Sequence, residues 1–382
     1  MKFSCTQENL KVGLLNIVHI AGKNINLPIL SNALIDVSDS LIKLIATDLE
    51  IGITASVRGK IEKNGKITVN AKLLTDYVNL LPNGRVDIEL MEDELKLACG
   101  NFKTKIKSED AGDYPIIPSV DKANYFSFDW EEFKRIAGGV IFAVAADETR
   151  IELSGVYFEF NENELTLAAT DSYRLIERKI KYKNKTILPE AKKFIIPTKT
   201  LIEITRLSQR SNEVEVAEEK TNKEIKLYIA ENQILFMYDE VELVSRIIEG
   251  QYPDYKQIIP NVSQENKTTA VLERRELSQA VKASSLFSQT NINDVQIDLS
   301  FSAKKITVSS ISGQSGESRV EIPTEVSNKN TYVVLNYRYL LDGLNNFEGE
   351  RVIMEVVDST TPVVFRIENR SDCLYIIMPI KK

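Results

Sequence analysis

Reactive side chains are concentrated in the stretch LAATDSYRLI (167–176), where Thr170, Asp171, Ser172, Tyr173 and Arg174 follow one another between two apolar runs. A hydroxyl, a carboxylate, a phenol and a guanidinium within five residues could form an active site, with Ser172 as nucleophile and Asp171 as general base. The same groups could instead form a surface on which another molecule docks. Both interpretations are open from these five residues alone.

The rest of the sequence lacks the groups that such catalysis needs. A Ser-His-Asp arrangement would depend on His19, the single histidine of the chain. There is no GxSxG elbow and no GxxxxGK[ST] loop. The cysteines Cys5, Cys99 and Cys373 lie far apart without a CxxC pair, which favours buried thiols in a reducing compartment over a zinc site. We therefore expect no catalytic residue, no metal and no cofactor.

Length and composition are typical of a soluble protein with several domains. The chain has 382 residues, of which 43% are apolar and 27% charged. No apolar run approaches the roughly 18 residues that cross a bilayer, and the start lacks a signal peptide, so we expect a cytoplasmic protein. The net charge of −7 argues against a generally basic nucleic-acid binder. Any contact with phosphates would need a local basic face.

The elements that position the 167–176 stretch recur along the chain. Amphipathic helices are predicted near the starts of three blocks and again midway through each block, with Asn70, Thr198 and Asn336 as caps of the second set. Strand–turn–strand patterns stand between them. The first helices lie in 6–21, 129–145 and 273–288, the second in 69–82, 195–210 and 333–347, and the hairpins in 85–100, 155–170 and 294–310.

Shorter sequence motifs that occur twice support the same repeat. IATDLEIGI (45–53) matches AATDSYRLI (168–176), and AGDYPIIP (111–118) matches EGQYPDYKQIIP (249–260). We expect an α+β fold of three similar domains, 1–122, 123–254 and 255–382. The alternative is one large α+β domain with chance echoes. We interpret the shared Thr-Asp as structural, closing a turn, and the added 172–175 as what makes the second copy a docking wall.

Several stretches together resemble the bacterial DNA polymerase III beta subunits, the DNA sliding clamps. The resemblance covers the whole chain and rests on MKF at the start, LPILSNALIDV (27–37), ATDLEIGI, AGDYPIIP, ATDSYRL, YPDYKQIIP, NYRYLLDGL and the final YIIMPI. It implies the DNA clamp fold, in which each of three domains has two helices packed on antiparallel sheets. It also implies a homodimer that closes head-to-tail into a six-domain ring.

The function implied by this resemblance is that of a processivity factor without catalytic activity. The ring encircles duplex DNA independently of sequence, and a clamp loader opens and closes it. Short peptide motifs tether the DNA polymerase III alpha subunit, other polymerases, ligase and mismatch-repair proteins. Two alternatives remain: a monomeric peptide-binding adaptor of clamp descent, and a hydrolase that uses Asp171 and Ser172.

The resemblance places the partner-peptide groove between the second and third domains. Thr170 and Arg174 are expected to hydrogen-bond polar atoms of the peptide. Ser172-Tyr173 stands where Gly-His is common in the family, and Gln257 where an arginine is frequent, so the preferred motif is left open. The expected groove residues are Leu153, Thr170, Ser172, Tyr173, Arg174, Leu175, Pro253, Gln257, Ile258, Ile376, Met378, Pro379 and Ile380.

Cations on helices and loops are the candidates for the DNA-facing surface, and two acids, Asp147 and Glu152, are expected to weaken contact with DNA. The dimer seam is expected at Ile106, Leu286 and Phe287. The candidate DNA-facing residues are Lys23, Asn24, Lys72, Lys134, Lys199, Arg206, Arg210, Lys282 and Arg338.

Overall fold

The computed structural model describes residues 1–22, 27–38, 40–147, 149–186, 192–207, 224–261, 263, 266–288, 292–313 and 315–381. Lys23, Asn24 and Arg210, expected to face DNA, lie outside these ranges. The α-helices of the described chain are α1 (Gln7–Ile17), α2 (Ala71–Leu80), α3 (Trp130–Gly138), α4 (Thr198–Arg206), α5 (Arg274–Ser285) and α6 (Tyr337–Asn346). Short 3-10 turns cover Pro28–Ser31, Ile141–Ala143, Ile151–Leu153 and Tyr255–Ile258.

Local hydrogen bonds at the helix starts match the predicted caps at two of three positions. The Asn70 side chain accepts from the amide of Leu73, and that of Asn336 from the amide of Arg338. Thr198 behaves differently, because its hydroxyl donates to the Ser154 carbonyl at 2.6 Å. The helices of this second set are also shorter than the amphipathic segments. Strands occupy the starts of all three segments: β6 (Gly65–Asn70), β15 (Lys192–Pro197) and β23 (Thr331–Asn336).

Some of the remaining strands, such as Arg351–Val356, alternate buried and less buried positions, whereas Glu164–Thr170 and Cys373–Ile377 are buried along nearly their whole length. The first block contains β1 (Lys2–Thr6), β2 (Asn32–Ser38), β3 (Leu41–Thr47), β4 (Ile51–Val57), β5 (Gly59–Lys63), β6 (Gly65–Asn70), β7 (Arg85–Met91), β8 (Glu94–Cys99) and β9 (Phe102–Glu109). The second contains β10 (Phe126–Asp129), β11 (Gly155–Phe160), β12 (Glu164–Thr170), β13 (Arg174–Lys181), β14 (Asn184–Lys185), β16 (Glu224–Ile229), β17 (Gln233–Tyr238) and β18 (Val241–Arg246). The third contains β19 (Thr268–Glu273), β20 (Asp294–Ser300), β21 (Lys305–Ser312), β22 (Gly316–Pro323), β24 (Arg351–Val356), β25 (Val363–Ile367) and β26 (Cys373–Ile377).

The chain divides into two compact units. The first comprises Met1–Arg135, Tyr182–Glu190 and Lys199–Ile247. It holds a 14-stranded sheet in the order β14-β10-β16-β17-β18-β4-β3-β2-β6-β9-β8-β7-β1-β5. Its strands β4 and β18 are antiparallel, with Gly52 opposite Val244. A buried cluster of Val120, Tyr228, Leu235 and Val244 packs in this unit.

The second unit comprises Ile136–Lys181, Ala191–Thr198 and Ile248–Lys382. It holds an eight-stranded sheet, β15-β11-β12-β13-β26-β25-β24-β19, and a four-stranded sheet, β22-β21-β20-β23. The antiparallel pair β13 and β26 places Leu175 opposite Ile376. The division cuts the predicted block 123–254 because β10 and β16–β18 belong to one sheet and β11–β13 and β15 to another. The domain boundaries at 122 and 254 stay a prediction.

A close approach of helix and sheet inside the second unit constrains Gly343 of α6. A β-carbon at this position would overlap the ring of Tyr375, a fully buried residue of β26. We expect Gly343→Ala to cost about 2 kcal/mol of unfolding free energy, because an overpacked interface must move apart. Urea denaturation followed by circular dichroism measures this cost.

Gly313→Ala is the matched control. A β-carbon there meets nothing within 4 Å. The same substitution should leave the denaturation midpoint almost unchanged. Equal midpoints for both variants would show that α6 has room for a side chain at position 343.

Candidate functional site

A tight turn holds the 170–174 stretch in place. The Thr170 hydroxyl donates to the Arg174 carbonyl at 2.6 Å and accepts from the amide of Ser172 at 3.1 Å. Asp171 Oδ1 accepts from the amides of Tyr173 and Arg174, both at 3.0 Å. Ser172 adopts a positive φ of 78°, which non-glycine residues rarely do. Thr170 and Asp171 therefore act on the backbone, and the predicted structural role of the Thr-Asp pair is confirmed.

The first copy of the motif forms the same turn in the other unit. The Thr47 hydroxyl donates to the Ile51 carbonyl at 2.9 Å and accepts from the amide of Leu49. Asp48 Oδ1 accepts from the amides of Glu50 and Ile51. Leu49 has a φ of 79°, close to that of Ser172. The two copies thus share their backbone geometry and differ in the side chains that the turn displays.

Arg174 faces inward from this turn. Its guanidinium donates to Asp171 Oδ2 at 2.9 Å, to Asp342 Oδ2 at 2.5 Å and to the Phe142 carbonyl at 2.7 Å. The ring centroids of Phe142 and Tyr339 lie 5.4 and 4.6 Å from its central carbon. Burial by itself would lower the pKa of Arg174, but the hydrogen bond to Asp342 and the nearby charges raise it.

These contacts correct one expectation about the site. Thr170 and Arg174 were expected to hydrogen-bond a partner, yet their polar atoms are engaged inside the chain. They also weaken the hydrolase interpretation. Both carboxylate oxygens of Asp171 already accept hydrogen bonds, so Asp171 is poorly placed to act as a base for Ser172.

An apolar floor lies beside the turn. Leu153, Leu175 and Ile376 form one buried cluster with Tyr252 and Tyr255. All of these residues belong to the second unit, so the structure brings three of the expected groove residues, Leu153, Leu175 and Ile376, into one cluster. Aromatic and aliphatic side chains of this kind line sites that accept apolar groups.

More exposed residues surround the floor. Tyr173 is 62% exposed and Ile258 39% exposed, while Pro253, Met378, Pro379 and Ile380 are half-buried. The amide of Met378 donates to the Tyr173 carbonyl at 2.8 Å, which joins the turn to the C-terminal segment. Gln257 is exposed, and its amide donates to Asp254 at 3.0 Å.

Three residues near this site were not predicted. Arg150 donates to the Ser172 hydroxyl at 3.1 Å, and Asp342 and Tyr339 contact Arg174. The signal for Arg150 was its place three residues before Leu153, on the loop that carries a predicted wall residue. Nothing in the sequence indicated Asp342, because it lies 168 positions from Arg174.

Three family models match the chain: DNA polymerase III beta subunit, N-terminal domain over residues 1–118, central domain over 127–254 and C-terminal domain over 256–381. The chain belongs to this family. The beta sliding clamp of Synechococcus elongatus is 28% identical, with 100% of this chain and 99% of the relative covered. That of Bacillus subtilis is 26% identical with both chains fully covered.

Solved structures agree with the assignment. The DNA polymerase III beta subunit from Thermotoga maritima matches with a TM-score of 0.88 at 26% identity, covering 100% of this chain and 99% of the other. The DNA polymerase sliding clamp from Bacillus subtilis matches with a TM-score of 0.90 at 25% identity and the same coverage. The predicted α+β clamp fold and the function as a DNA sliding clamp in DNA replication are confirmed.

Among the candidate DNA-facing cations that the structure describes, Lys199 and Arg206 each have a carboxylate partner. Lys199 pairs with Asp48, and Arg206 with Glu203 at 2.6 Å. Lys134 and Arg338 lie over aromatic rings, 5.7 Å from Trp130 and 6.0 Å from Tyr337. Lys72 on α2 and Lys282 on α5 are exposed.

The two acids expected to weaken DNA contact also have partners. The pKa of Asp147 is lowered by hydrogen bonds from Thr149, so Asp147 stays ionised at neutral pH. Glu152 pairs with Arg150 at 3.2 Å, which offsets its charge. Asp147 therefore keeps its negative charge at this loop, and the expected weakening of DNA contact there stays a prediction.

The residues expected at the clamp seam differ in exposure. Leu286 at the end of α5 is 77% exposed, and Phe287 is half-buried. Ile106 corrects the expectation, because its side chain is buried within its own unit on β9, opposite Leu95. Phe102, at the start of β9, is exposed instead.

Other expected features concern thiols, metals and membranes. Cys5, Cys99 and Cys373 are free and buried, as expected, and burial raises the pKa of Cys5 to about 12 and of Cys373 to about 11. In the described ranges, no group of three His, Cys, Asp or Glu side chains could hold a metal ion. Within those ranges, helices long and apolar enough for a bilayer are also absent.

Removal of the Arg174 guanidinium should destabilise the second unit. Arg174→Met would leave the carboxylates of Asp171 and Asp342 without their cation beside a largely buried site. We expect a loss of about 3 kcal/mol, the usual cost of breaking such a pair from one side. A lower midpoint in urea denaturation is the measurement.

Arg150→Met is the control, because this arginine lies beside the same turn but its side chain is 52% exposed. Its loss should cost less than about 0.5 kcal/mol. If Arg174→Met were as stable as Arg150→Met, the inward contacts of Arg174 would contribute little.

Proposed function

We propose that two copies of this chain close head-to-tail into a ring around duplex DNA and tether partner proteins through the surface beside the 170–174 turn. The observation that supports the tethering site is the buried apolar floor of Leu153, Leu175 and Ile376 next to the exposed Tyr173. A floor of this kind accepts apolar side chains of an extended peptide, and nearby polar groups orient its backbone.

The proposed groove comprises the residues expected from the sequence, but Thr170 and Arg174 have a structural role in place of the expected contact with the peptide. Thr170 and Arg174 hold its shape from within, whereas Ser172, Arg150 and Gln257 supply the exposed polar groups. Met378 gives one wall a flexible and polarizable side chain, which suits a surface that binds more than one partner. The proposed partners are the clamp loader, the DNA polymerase III alpha subunit, other polymerases, ligase and mismatch-repair proteins.

Encirclement requires only weak contact with DNA. Each cation that touches a phosphate releases counterions and strengthens binding, so a strongly basic inner surface would hinder sliding. The pairing of Lys199 and Arg206 with carboxylates and the net charge of −7 fit this requirement. The proposed ring acts without catalysis of its own, in the cytoplasm, on DNA of any sequence.

The monomeric-adaptor alternative has lost part of its support. It rested on Asp147 and Glu152 as acids that repel DNA, and Glu152 is paired with Arg150. The seam proposed for the ring includes Leu286 and Phe287, since an exposed leucine at the end of a helix is well placed to be buried by a second copy.

Encirclement predicts that DNA topology controls retention. After loading by the cognate clamp loader, the protein should stay on nicked circular DNA and leave within minutes of linearisation, because only a closed circle prevents a ring from sliding off. Gel filtration of labelled protein with each DNA form measures the retained fraction.

Leu286→Asp tests whether retention requires closure of the ring. A buried charge at the seam should shift sedimentation towards the monomer and reduce retention on circles. Equal retention of the wild-type protein on circular and linear DNA with free ends would contradict encirclement.

The C-terminal segment should be needed for partner binding. Deletion of 378–382 removes Met378, Pro379 and Ile380 together with the backbone bond from Met378 to Tyr173. We expect a labelled peptide from the organism's replicative polymerase to bind at least about 30-fold more weakly, as when a central interface residue is lost. Fluorescence anisotropy measures the affinity.

Deletion of 381–382 alone keeps the three proposed groove residues and should bind the peptide like the full chain. Both truncated proteins should sediment as dimers, because the proposed seam lies elsewhere. Unchanged peptide affinity after deletion of 378–382 would place the partner site on another surface.

A further inference from the structure

The connector YPDYKQIIP (252–260) is hydrogen-bonded to the neighbouring sheet through two consecutive residues. In the 3-10 turn Tyr255–Ile258, the buried Tyr255 donates its hydroxyl proton to Glu177 Oε2 at 2.6 Å. Its neighbour Lys256 donates to Glu159 Oε2 at 2.7 Å. The next two residues, Gln257 and Ile258, are exposed and belong to the proposed groove.

Both carboxylates belong to strands of the eight-stranded sheet, which also carries Leu175 and Ile376 of the groove floor. Glu177 lies two residues after Leu175 on β13, and side chains two apart on a strand share a face. Glu159 lies on β11 and is only 5% exposed. Burial by itself would raise the pKa of Glu159, but the hydrogen bond from Lys256 and the charges of Lys256 and Lys193 lower it. Glu159 is therefore ionised at neutral pH.

The equivalent place in the first block has only part of this arrangement. Asp36 on β2 lies opposite Lys66 on β6, as Glu159 lies opposite Lys193 on β15. Asp36 Oδ2 pairs with Lys66 at 2.9 Å, but its buried Oδ1 has no hydrogen-bond partner among the residues that the structure describes. In the second block, the corresponding oxygen of the carboxylate binds Lys256.

The chain itself supplies the reason for this difference. The first connector reads YPIIP (114–118) and the second YPDYKQIIP (252–260), so the second has four more residues, 254–257. Tyr255 and Lys256 are among these four. Counted from the shared Thr-Asp turn, the position of Glu177 is occupied by Thr54 in the first copy. The insertion and one of its carboxylate partners, Glu177, therefore occur together in the copy that carries the groove. The other partner, Glu159, has the counterpart Asp36 in the first copy, and only its contact with Lys256 is new.

We infer that Glu159 and Glu177 are positioning residues of the partner groove, an inference that rests on the proposed peptide-binding function. By holding Lys256 and Tyr255, they fix the 3-10 turn on the sheet and place Gln257 and Ile258 at the groove wall. If Gln257 and Ile258 are already fixed in place, the protein binds a peptide more tightly, because less conformational entropy is lost on binding.

Two lysines that share one carboxylate provide a matched pair of variants. Lys256 and Lys193 both pair with Glu159, and their side chains are 56% and 59% exposed. Only Lys256 belongs to the connector. Lys256→Gln should weaken binding of the labelled polymerase peptide about threefold, within the range of an exposed ion pair. Lys193→Gln should leave the affinity unchanged, and both variants should unfold at nearly the same temperature.

Coupling between substitutions separates positioning from general stability. Ile258→Ala should weaken peptide binding about tenfold in the wild-type background, the cost of losing an apolar contact. In the Tyr255→Phe/Lys256→Gln background the same change should cost about twofold or less, because the wall is already displaced. Tyr173→Ala, on a part of the groove that these contacts do not hold, should cost the same in both backgrounds.

The outcomes distinguish this inference from the proposed function. If the wild-type protein binds the peptide and Ile258→Ala costs the same in both backgrounds, the positioning role is wrong and the groove stands. Equal losses for Lys193→Gln and Lys256→Gln would also overturn it. Failure of the wild-type protein to bind the peptide would contradict the proposed function, and the positioning role with it.

Discussion

The site depends on the hydrogen bonds that the side chains of Thr170 and Asp171 form with the backbone of residues 172–174. A positive φ at Ser172 costs roughly 1–2 kcal/mol, and these bonds offset that cost. The turn can therefore display Tyr173 without leaving it on a mobile loop. Because the same four bonds occur at Thr47 and Asp48, the turn is a property of the repeated fold, and the displayed side chains are what differ.

Arg174 extends this local constraint over the second unit. Its partners Phe142 and Asp342 lie 32 and 168 positions away, so one guanidinium connects the turn to two distant segments. The backbone bond from Met378 to the Tyr173 carbonyl adds the C-terminal segment. The geometry of the floor and its surroundings thus follows from a few directional contacts, while the apolar cluster supplies most of the burial energy.

The sequence predicted those features that depend on local patterns. The Thr-Asp turn, the caps at Asn70 and Asn336 and the hairpins could be predicted because each leaves a signal within about ten residues. The groove residues Leu153, Leu175 and Ile376 were instead implied by the resemblance to the sliding clamps. The inward orientation of Arg174 and the exposure of Phe102 in place of Ile106 could not be predicted. The former depends on residues far along the chain. Phe102 and Ile106 lie four residues apart on β9 and so share one face of the strand. Which of the two is covered depends on where along β9 the rest of the fold packs, and no local pattern shows that.

Repetition inside one chain turns these differences into evidence about function. A feature present in both copies, such as the Thr-Asp turn or the pairs Asp36–Lys66 and Glu159–Lys193, is explained by the fold that they share. A feature present in only one copy needs a separate cause. Residues 254–257, the contacts of Tyr255 and Lys256 and the exposed Tyr173 all belong to the second copy alone, and they surround the same apolar floor. Their coincidence at one place is best explained by selection for a surface that binds a partner, since the turn itself forms equally well without them.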